Sequence, residues 1–116
     1  MTAGESFDLS QDAEILKINS PRANVNGPYK VVYKNEERRW ALGAFDWDEE
    51  PHLGIRWFWG TAGMPALQGG NAGWFVVPTE LTTAILNGLP INAKIRGKID
   101  DFLGGKIDGK TLSGGE

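Results

Sequence analysis

The stretch HLGIRWFWG, residues 52–60, decides how the sheet of this protein must be covered. In an extended strand, successive side chains point to opposite faces. One face of this stretch then carries only apolar side chains, those of Leu53, Ile55, Trp57 and Trp59. The other face mixes rings, a cation and a glycine: His52, Gly54, Arg56 and Phe58. Because large rings occur on both faces, either both are covered or one is kept for a partner.

The preceding stretch RWALGAFDW, residues 39–47, divides in the same way. Its apolar side carries Trp40, Leu42 and Ala44, and its opposite side carries Arg39, Phe45 and Trp47. The predicted sheet therefore has an apolar face and a second face, which we call the aromatic–basic face. Two interpretations of the aromatic–basic face stay open. The N-terminal segment or a second subunit covers it, or it is a stacking surface for nucleobases or another planar ligand.

The order of elements predicts an α+β fold. Residues 29–34, 39–47, 52–59 and 72–77 are rich in β-branched and aromatic residues and are joined by turns and one glycine-rich loop. Such closely spaced strands favour an antiparallel meander. An apolar stripe of helical spacing follows from residue 79 to residue 89. The sequence thus predicts a four-stranded antiparallel sheet followed by a helix that covers one face.

The chain divides into three parts. Residues 1–28 form a partly flexible N-terminal segment, in which residues 10–18 suit a short helix or strand. Residues 29–90 form the ββββα domain, and residues 91–116 form a C-terminal extension with a flexible tail. In residues 91–103, alternation favours a further strand, whereas isoleucines spaced four apart suit a helix. Isoleucine is β-branched and Gly97 interrupts the stretch, which favours a strand slightly, but a further C-terminal helix stays open as the alternative.

Composition narrows the function classes. The 116 residues suit one domain, and the formal charge of −3 argues against tight nonspecific binding to nucleic acid. Cysteine is absent and His52 is the only histidine, which excludes thiolate zinc sites, cysteine nucleophiles and histidine-rich metal sites. No carboxylate pair is placed for acid–base chemistry. We therefore expect a protein that is not an enzyme and has no cofactor or metal.

The sequence also bears on location. No apolar run approaches the roughly 20 residues that span a bilayer, and the N-terminus lacks the pattern of a signal peptide. The absence of cysteine is compatible with a reducing compartment. We expect a cytoplasmic protein without membrane association.

The region 29–90 resembles a known family. Four strands and a helix, a strand that reads L-x-I-R-W-F-W, a glycine-rich loop, a short apolar strand and Pro-Thr-Glu-Leu are similar to the positive cofactor four transcriptional coactivators. The similarity is greater to their small bacterial relatives. The matching residues are Ile55, Arg56, Phe58, Trp59, Gly73, Phe75, Val76, Pro78, Glu80, Leu81 and Leu86.

The resemblance implies a strongly curved sheet backed by a helix, a homodimer, and weak binding of single-stranded DNA or RNA across the sheet. It implies phosphate contacts from four cations, Lys30, Lys34, Arg39 and Arg56. It implies base stacking on four rings, Tyr33, Phe45, Phe58 and Trp74.

One departure from the family opens an alternative function. The loop MPALQGGNAG, residues 64–73, lacks the lysines or arginines of the family's loop, and the acidic run DWDEE occupies residues 46–50. Fewer phosphate contacts weaken binding steeply. The alternative is a protein-interaction or assembly module that keeps the fold without binding DNA. A homodimer is expected in either case, because one small core cannot readily bury so many apolar residues.

Overall fold

The computed structural model describes residues 11–58, 63–65 and 72–114 and shows an α+β fold built on one antiparallel sheet. Its strands, in spatial order, are β1 (Val25–Asn35), β2 (Trp40–Trp47), β3 (Glu50–Trp57) and β4 (Phe75–Val76). Its helices are α1 (Asp12–Ile15), α2 (Thr82–Asn87), α3 (Ala93–Leu103) and α4 (Gly109–Gly114), and a 3₁₀ turn (Thr79–Leu81) precedes α2. The predicted α+β class and four-stranded antiparallel sheet are confirmed.

None of the helices within residues 11–58, 63–65 and 72–114 is long and apolar enough to cross a lipid bilayer.

The β2–β3 turn is tighter than the sequence indicated. Asp48 and Glu49 alone connect the strands, with φ angles of 51° and 71°. Two consecutive positive φ angles match the twist of adjacent strands, and Asp tolerates them better than most residues. The acidic run after β2 is therefore a hairpin turn, and Pro51 already belongs to β3. Beside this turn, β1 begins at Val25, which pairs with Trp47, rather than at residue 29.

The apolar face of the sheet packs against the C-terminal helices. We call this cluster the helix-side core, and its buried members are Val32, Leu42, Ala44, Leu53, Val77, Leu86, Ile99, Phe102 and Leu112. The last four side chains come from α2, α3 and α4, so all three helices contribute to covering the sheet. The prediction that a helix covers this face is confirmed, and three helices rather than one form the cover.

The expected strand in residues 91–103 was wrong, since Ala93–Leu103 is the helix α3. Asn92 caps it by accepting hydrogen bonds from the backbone N–H groups of Lys94 at 2.8 Å and Ile95 at 3.3 Å. Ile99 and Phe102 are fully buried on its inner side. Burial of one helical face outweighs the modest preference of isoleucine for strands, because propensity is worth less than packing.

The predicted flexible tail was also wrong for the residues that the structure describes. Gly109–Gly114 is the helix α4, and Leu112 is fully buried. Asp108 stabilises its start by accepting a hydrogen bond from the backbone N–H of Thr111 at 2.8 Å, which holds the pKa of Asp108 below its usual value. Residues 115 and 116 lie outside the described residues.

The N-terminal segment covers the aromatic–basic face. Ile15, Ile18 and Val25 pack there with Ala41, Phe45, Phe58 and Trp74, and we call this cluster the N-terminal core. Trp74 Nε1 donates a hydrogen bond to the carbonyl of Ile18 at 2.7 Å. The interpretation in which the N-terminal segment covers this face is confirmed. The predicted flexibility of residues 1–10 lies outside the described residues.

Candidate interaction surface

Three of the four predicted stacking rings are inaccessible. Phe45, Phe58 and Trp74 are buried in the N-terminal core, and Phe58 is only 2% exposed. These rings, predicted to form an open stacking face, pack instead with Ile15 and Ile18 of the N-terminal segment. Tyr33, the fourth ring, packs at the edge of the helix-side core and stays partly exposed.

The side chains that were predicted to contact phosphate bind other parts of the protein or are partly buried. Lys34 Nζ forms an ion pair with Asp12 Oδ1 at 2.8 Å, and its hydrogen bond to Asp12 raises the pKa of Lys34. Arg39 Nε donates to the carbonyl of Phe58 at 2.9 Å. Lys30 is partly buried in β1. Arg56, the fourth side chain predicted to contact phosphate, is buried.

Arg56 is buried inside the fold rather than presented to a ligand. Its side chain is 2% exposed, and its Nη1 donates to the carbonyls of Pro65 and Gly73, both at 2.8 Å. Its guanidinium carbon lies 5.1 Å from the centroid of the Phe58 ring, a cation–π distance. Burial lowers the pKa of Arg56 to about 10, so the group still carries its charge at neutral pH. A phosphate cannot reach it without opening this region.

A different set of rings reaches the surface. Each strand contributes one ring to a cross-strand series, which we call the aromatic ladder: Tyr33, Trp40, Trp57 and Phe75. Successive ring centroids lie 5.4, 6.5 and 6.3 Å apart. Trp40 and Trp57 are direct partners in the β2–β3 register, and directly opposed side chains on one face of a sheet pack together.

The exposed end of the ladder lies beside β4. Phe75 is 46% exposed, whereas Trp57 is half-buried. Met64, which is 48% exposed, extends the strip because it pairs with Trp57 through two backbone hydrogen bonds of 2.8 and 2.9 Å. We call the ladder together with Met64 the ladder surface. It presents ring faces, ring edges and a thioether without a formal charge, a chemistry that suits an apolar protein surface or a planar ligand.

Sequence reasoning did not single out the ladder surface. Trp40 and Trp57 were placed on the apolar core face, and Phe75 and Met64 were not assigned a role in binding. Trp59, assigned to the same face, lies outside the described residues. The available signal was that every predicted strand carries at least two aromatic residues, of which the ladder takes one. Using that signal requires the strand register, which alternation alone does not give.

A metal centre and a pocket are the other kinds of site that a protein of this size can offer. Within residues 11–58, 63–65 and 72–114, no group of three acidic, histidine or cysteine side chains is placed to hold a metal ion. A shallow cavity of about 260 Å³ is lined by Pro51, Thr79, Thr82, Thr83, Asp100, Leu103 and Gly104. Its carboxylate already accepts a hydrogen bond from Arg96 Nε at 3.1 Å. The ladder surface is the stronger candidate.

Comparison with known proteins indicates no family for this chain, because no protein-family model, no curated protein and no solved structure matches it. The resemblance to the positive cofactor four coactivators stays a prediction, and the function has to be argued from the ladder surface.

Proposed function

We propose that this domain is an assembly module whose ladder surface packs against a second copy of the chain to form a homodimer. The observation that carries this proposal is a continuous strip of four contacting rings that ends in two side chains, Phe75 and Met64, each nearly half exposed. Aromatic residues and methionine are enriched where protein surfaces meet, and contiguous apolar surface is unfavourable in water.

A second copy is the partner that the ladder surface fits most simply. A two-fold interface places the same patch of each subunit against its counterpart, so one apolar strip supplies both halves. Neighbouring ladder rings are tilted by 36° to 75°, which leaves ring edges and faces for further rings to pack against. The absence of a formal charge on these side chains removes the repulsion that would arise between identical charged patches.

Phe75→Ala is expected to convert the dimer to a monomer at concentrations at which the wild-type protein is dimeric. A central aromatic side chain in an interface contributes about 2 kcal/mol or more, which raises the Kd roughly 30-fold. Sedimentation equilibrium over a concentration series measures this change. Leu81→Ala is the matched control, since Leu81 is 50% exposed but has no place in the ladder. A wild-type protein that stays monomeric at about 100 µM, where even weak dimers with Kd near that value would be visible, contradicts the proposal.

Weak binding of single-stranded nucleic acid is a second candidate. It is favoured by the partly exposed ladder rings, among them Tyr33, and by Arg39 directly before Trp40. Unstacked bases pack on aromatic side chains with little sequence preference. The phosphate contacts are the weaker part of this candidate, because Lys34 is ion-paired with Asp12 and Arg56 is buried.

Single-stranded oligonucleotides are expected to quench tryptophan fluorescence at low salt and to lose this effect at moderate salt, as few phosphate contacts are available. Duplexes should bind less well, because their bases are already stacked. Phe75→Ala should weaken binding by roughly 1–3 kcal/mol. Lys106→Ala, an exposed substitution outside the ladder, serves as the control. A flat titration of the wild-type protein with single strands at low salt would remove this candidate and leave the homodimer.

A further inference from the structure

Arg56 joins two points of the connection between β3 and β4, one near its middle and one near its end. Its Nη1 donates to the carbonyl of Pro65, directly after Met64, and to the carbonyl of Gly73, two residues before Phe75. The backbone N–H of Gly73 donates to the same carbonyl of Pro65 at 3.2 Å. One buried guanidinium thus fixes the chain just beside both exposed members of the ladder surface.

The same region is fixed to β3 through the backbone. Trp57 and Met64 exchange two hydrogen bonds, Trp57 N to Met64 O at 2.8 Å and Met64 N to Trp57 O at 2.9 Å. Arg56 is the residue before Trp57, and its side chain points to the opposite face of β3. The guanidinium and the ladder surface therefore lie on opposite faces of the sheet, and the carbonyls of Pro65 and Gly73, next to Met64 and near Phe75, contact the guanidinium.

Arginine has properties here that lysine lacks. Its planar guanidinium stacks on the Phe58 ring while it donates several hydrogen bonds in fixed directions. Gly63 approaches the same group, since a Cβ built on Gly63 would lie 2.7 Å from Arg56 Nη2. Gly63 also has a φ angle of 68°, which glycine adopts without strain. Glycine at position 63 therefore leaves room both for the guanidinium and for the carbonyl of Trp57, to which the same Cβ would come still closer.

We propose that Arg56 is a positioning residue for the ladder surface: it holds Met64 and Phe75 beside Trp57 without touching the partner itself. The inference rests on the proposed function for what the surface binds, but the positioning of Met64 is a property of the isolated chain. Arg56 acts by keeping the surface in a single arrangement, which lowers the ordering cost of association.

Hydrogen exchange of Arg56→Lys tests the positioning. The amides of Met64 and Trp57 are expected to exchange faster by on the order of ten-fold or more, since hydrogen bonds to a charged group are lost. The amide of Val77, which donates to the carbonyl of Leu53 at 2.8 Å in the same sheet, is the internal reference and should be unchanged. Equal acceleration of all three amides, or no acceleration, overturns the inference.

Arg56→Gln provides a second route to the same test if Arg56→Lys does not fold. The neutral amide removes the charge and the planar guanidinium but leaves Gly63 and its neighbours unchanged. The Met64 amide should again exchange faster than the Val77 amide. Exchange of Met64 at the wild-type rate in a folded Arg56→Gln protein would overturn the inference.

Self-association separates this inference from the proposed function. The dimer Kd of Arg56→Lys is expected to rise by on the order of ten-fold. Ile99→Val, a buried change in the helix-side core far from the connection in sequence, should lower stability and leave the Kd unchanged. A monomeric wild-type protein contradicts the proposed function, and the exchange rates still decide the role of Arg56. If Arg56→Lys dimerises with the same Kd as the wild-type protein although its Met64 amide exchanges faster, the positioning role is overturned.

Discussion

Phe58→Ala is expected to lower the free energy of unfolding by roughly 3–5 kcal/mol, the range for removing a buried phenylalanine ring. Phe58 is 2% exposed and belongs to the same buried cluster as Phe45, Trp74 and Ile15. Its ring also lies under the Arg56 guanidinium, 5.1 Å from centroid to carbon, so the substitution removes a cation–π contact as well. Urea unfolding followed by circular dichroism measures the loss.

Phe75→Ala is the matched control for this substitution. It removes the same side chain from a site that is 46% exposed, so its effect on unfolding should be much smaller. Under the proposed function, Phe75→Ala should weaken dimerisation and Phe58→Ala should not. An unchanged urea midpoint in Phe58→Ala, together with weaker oligonucleotide binding, would show that the aromatic–basic face is open in solution.

The strand pattern predicts that two faces need a cover, but not which segment supplies it. Alternation places Phe45 and Phe58 on one face, as the structure confirms. The side chains that cover them, Ile15 and Ile18, lie 25 and 22 residues before the start of β2 in a short polar segment. A periodicity of two describes one strand and carries no information about contacts distant in sequence. The choice between the N-terminal segment, a second subunit and a ligand therefore needed the structure.

The C-terminal extension shows the same limit in another form. Ile91, Ile95 and Ile99 satisfy both a strand and a helix period, so local sequence allows either element. The structure shows the contacts that decide between the two elements. The helix buries Ile99 and Phe102 against the sheet, and its Asn92 cap satisfies two backbone N–H groups. Tertiary packing decides such cases against intrinsic propensity.

In the candidate site, the exposure of each aromatic side chain is harder to predict from sequence than the face of the sheet on which it lies. The rings predicted to be accessible, Phe45, Phe58 and Trp74, are buried, whereas Trp57 and Phe75 reach the surface. The buried members of the helix-side core lie near the middle of the strands, at Leu42 and Leu53. The apolar face continues beyond this centre to the strand ends, where Trp40 and Trp57 are only partly covered. How far a cover extends depends on the lengths and positions of the helices, which periodicity does not supply.

Gly54→Ala is expected to destabilise the protein by roughly 1–3 kcal/mol, although it adds only one methyl group. Gly54 in β3 is the direct register partner of Gly43 in β2. A Cβ on Gly54 would lie 2.5 Å from both Cε2 and Cζ of the buried Phe45 ring, and a Cβ on Gly43 would lie 2.9 Å from Cη2 of Trp74. The glycine pair makes the space in which the rings of the N-terminal core lie against the sheet.

Gly97→Ala is the control, because it is expected to change the stability of the protein in the opposite direction. No atom lies within 4 Å of a Cβ built on Gly97 in α3, so the same methyl group should stabilise the protein by about 1 kcal/mol through helix propensity. Thermal and urea unfolding of the two variants should therefore move in opposite directions. An unchanged or raised midpoint in Gly54→Ala would mean that Phe45 and Trp74 do not pack against β2 and β3. A lowered midpoint in Gly97→Ala would contradict the helix in residues 93–103. The opposite effects follow from packing alone, because neither glycine has a positive φ angle that an alanine would strain.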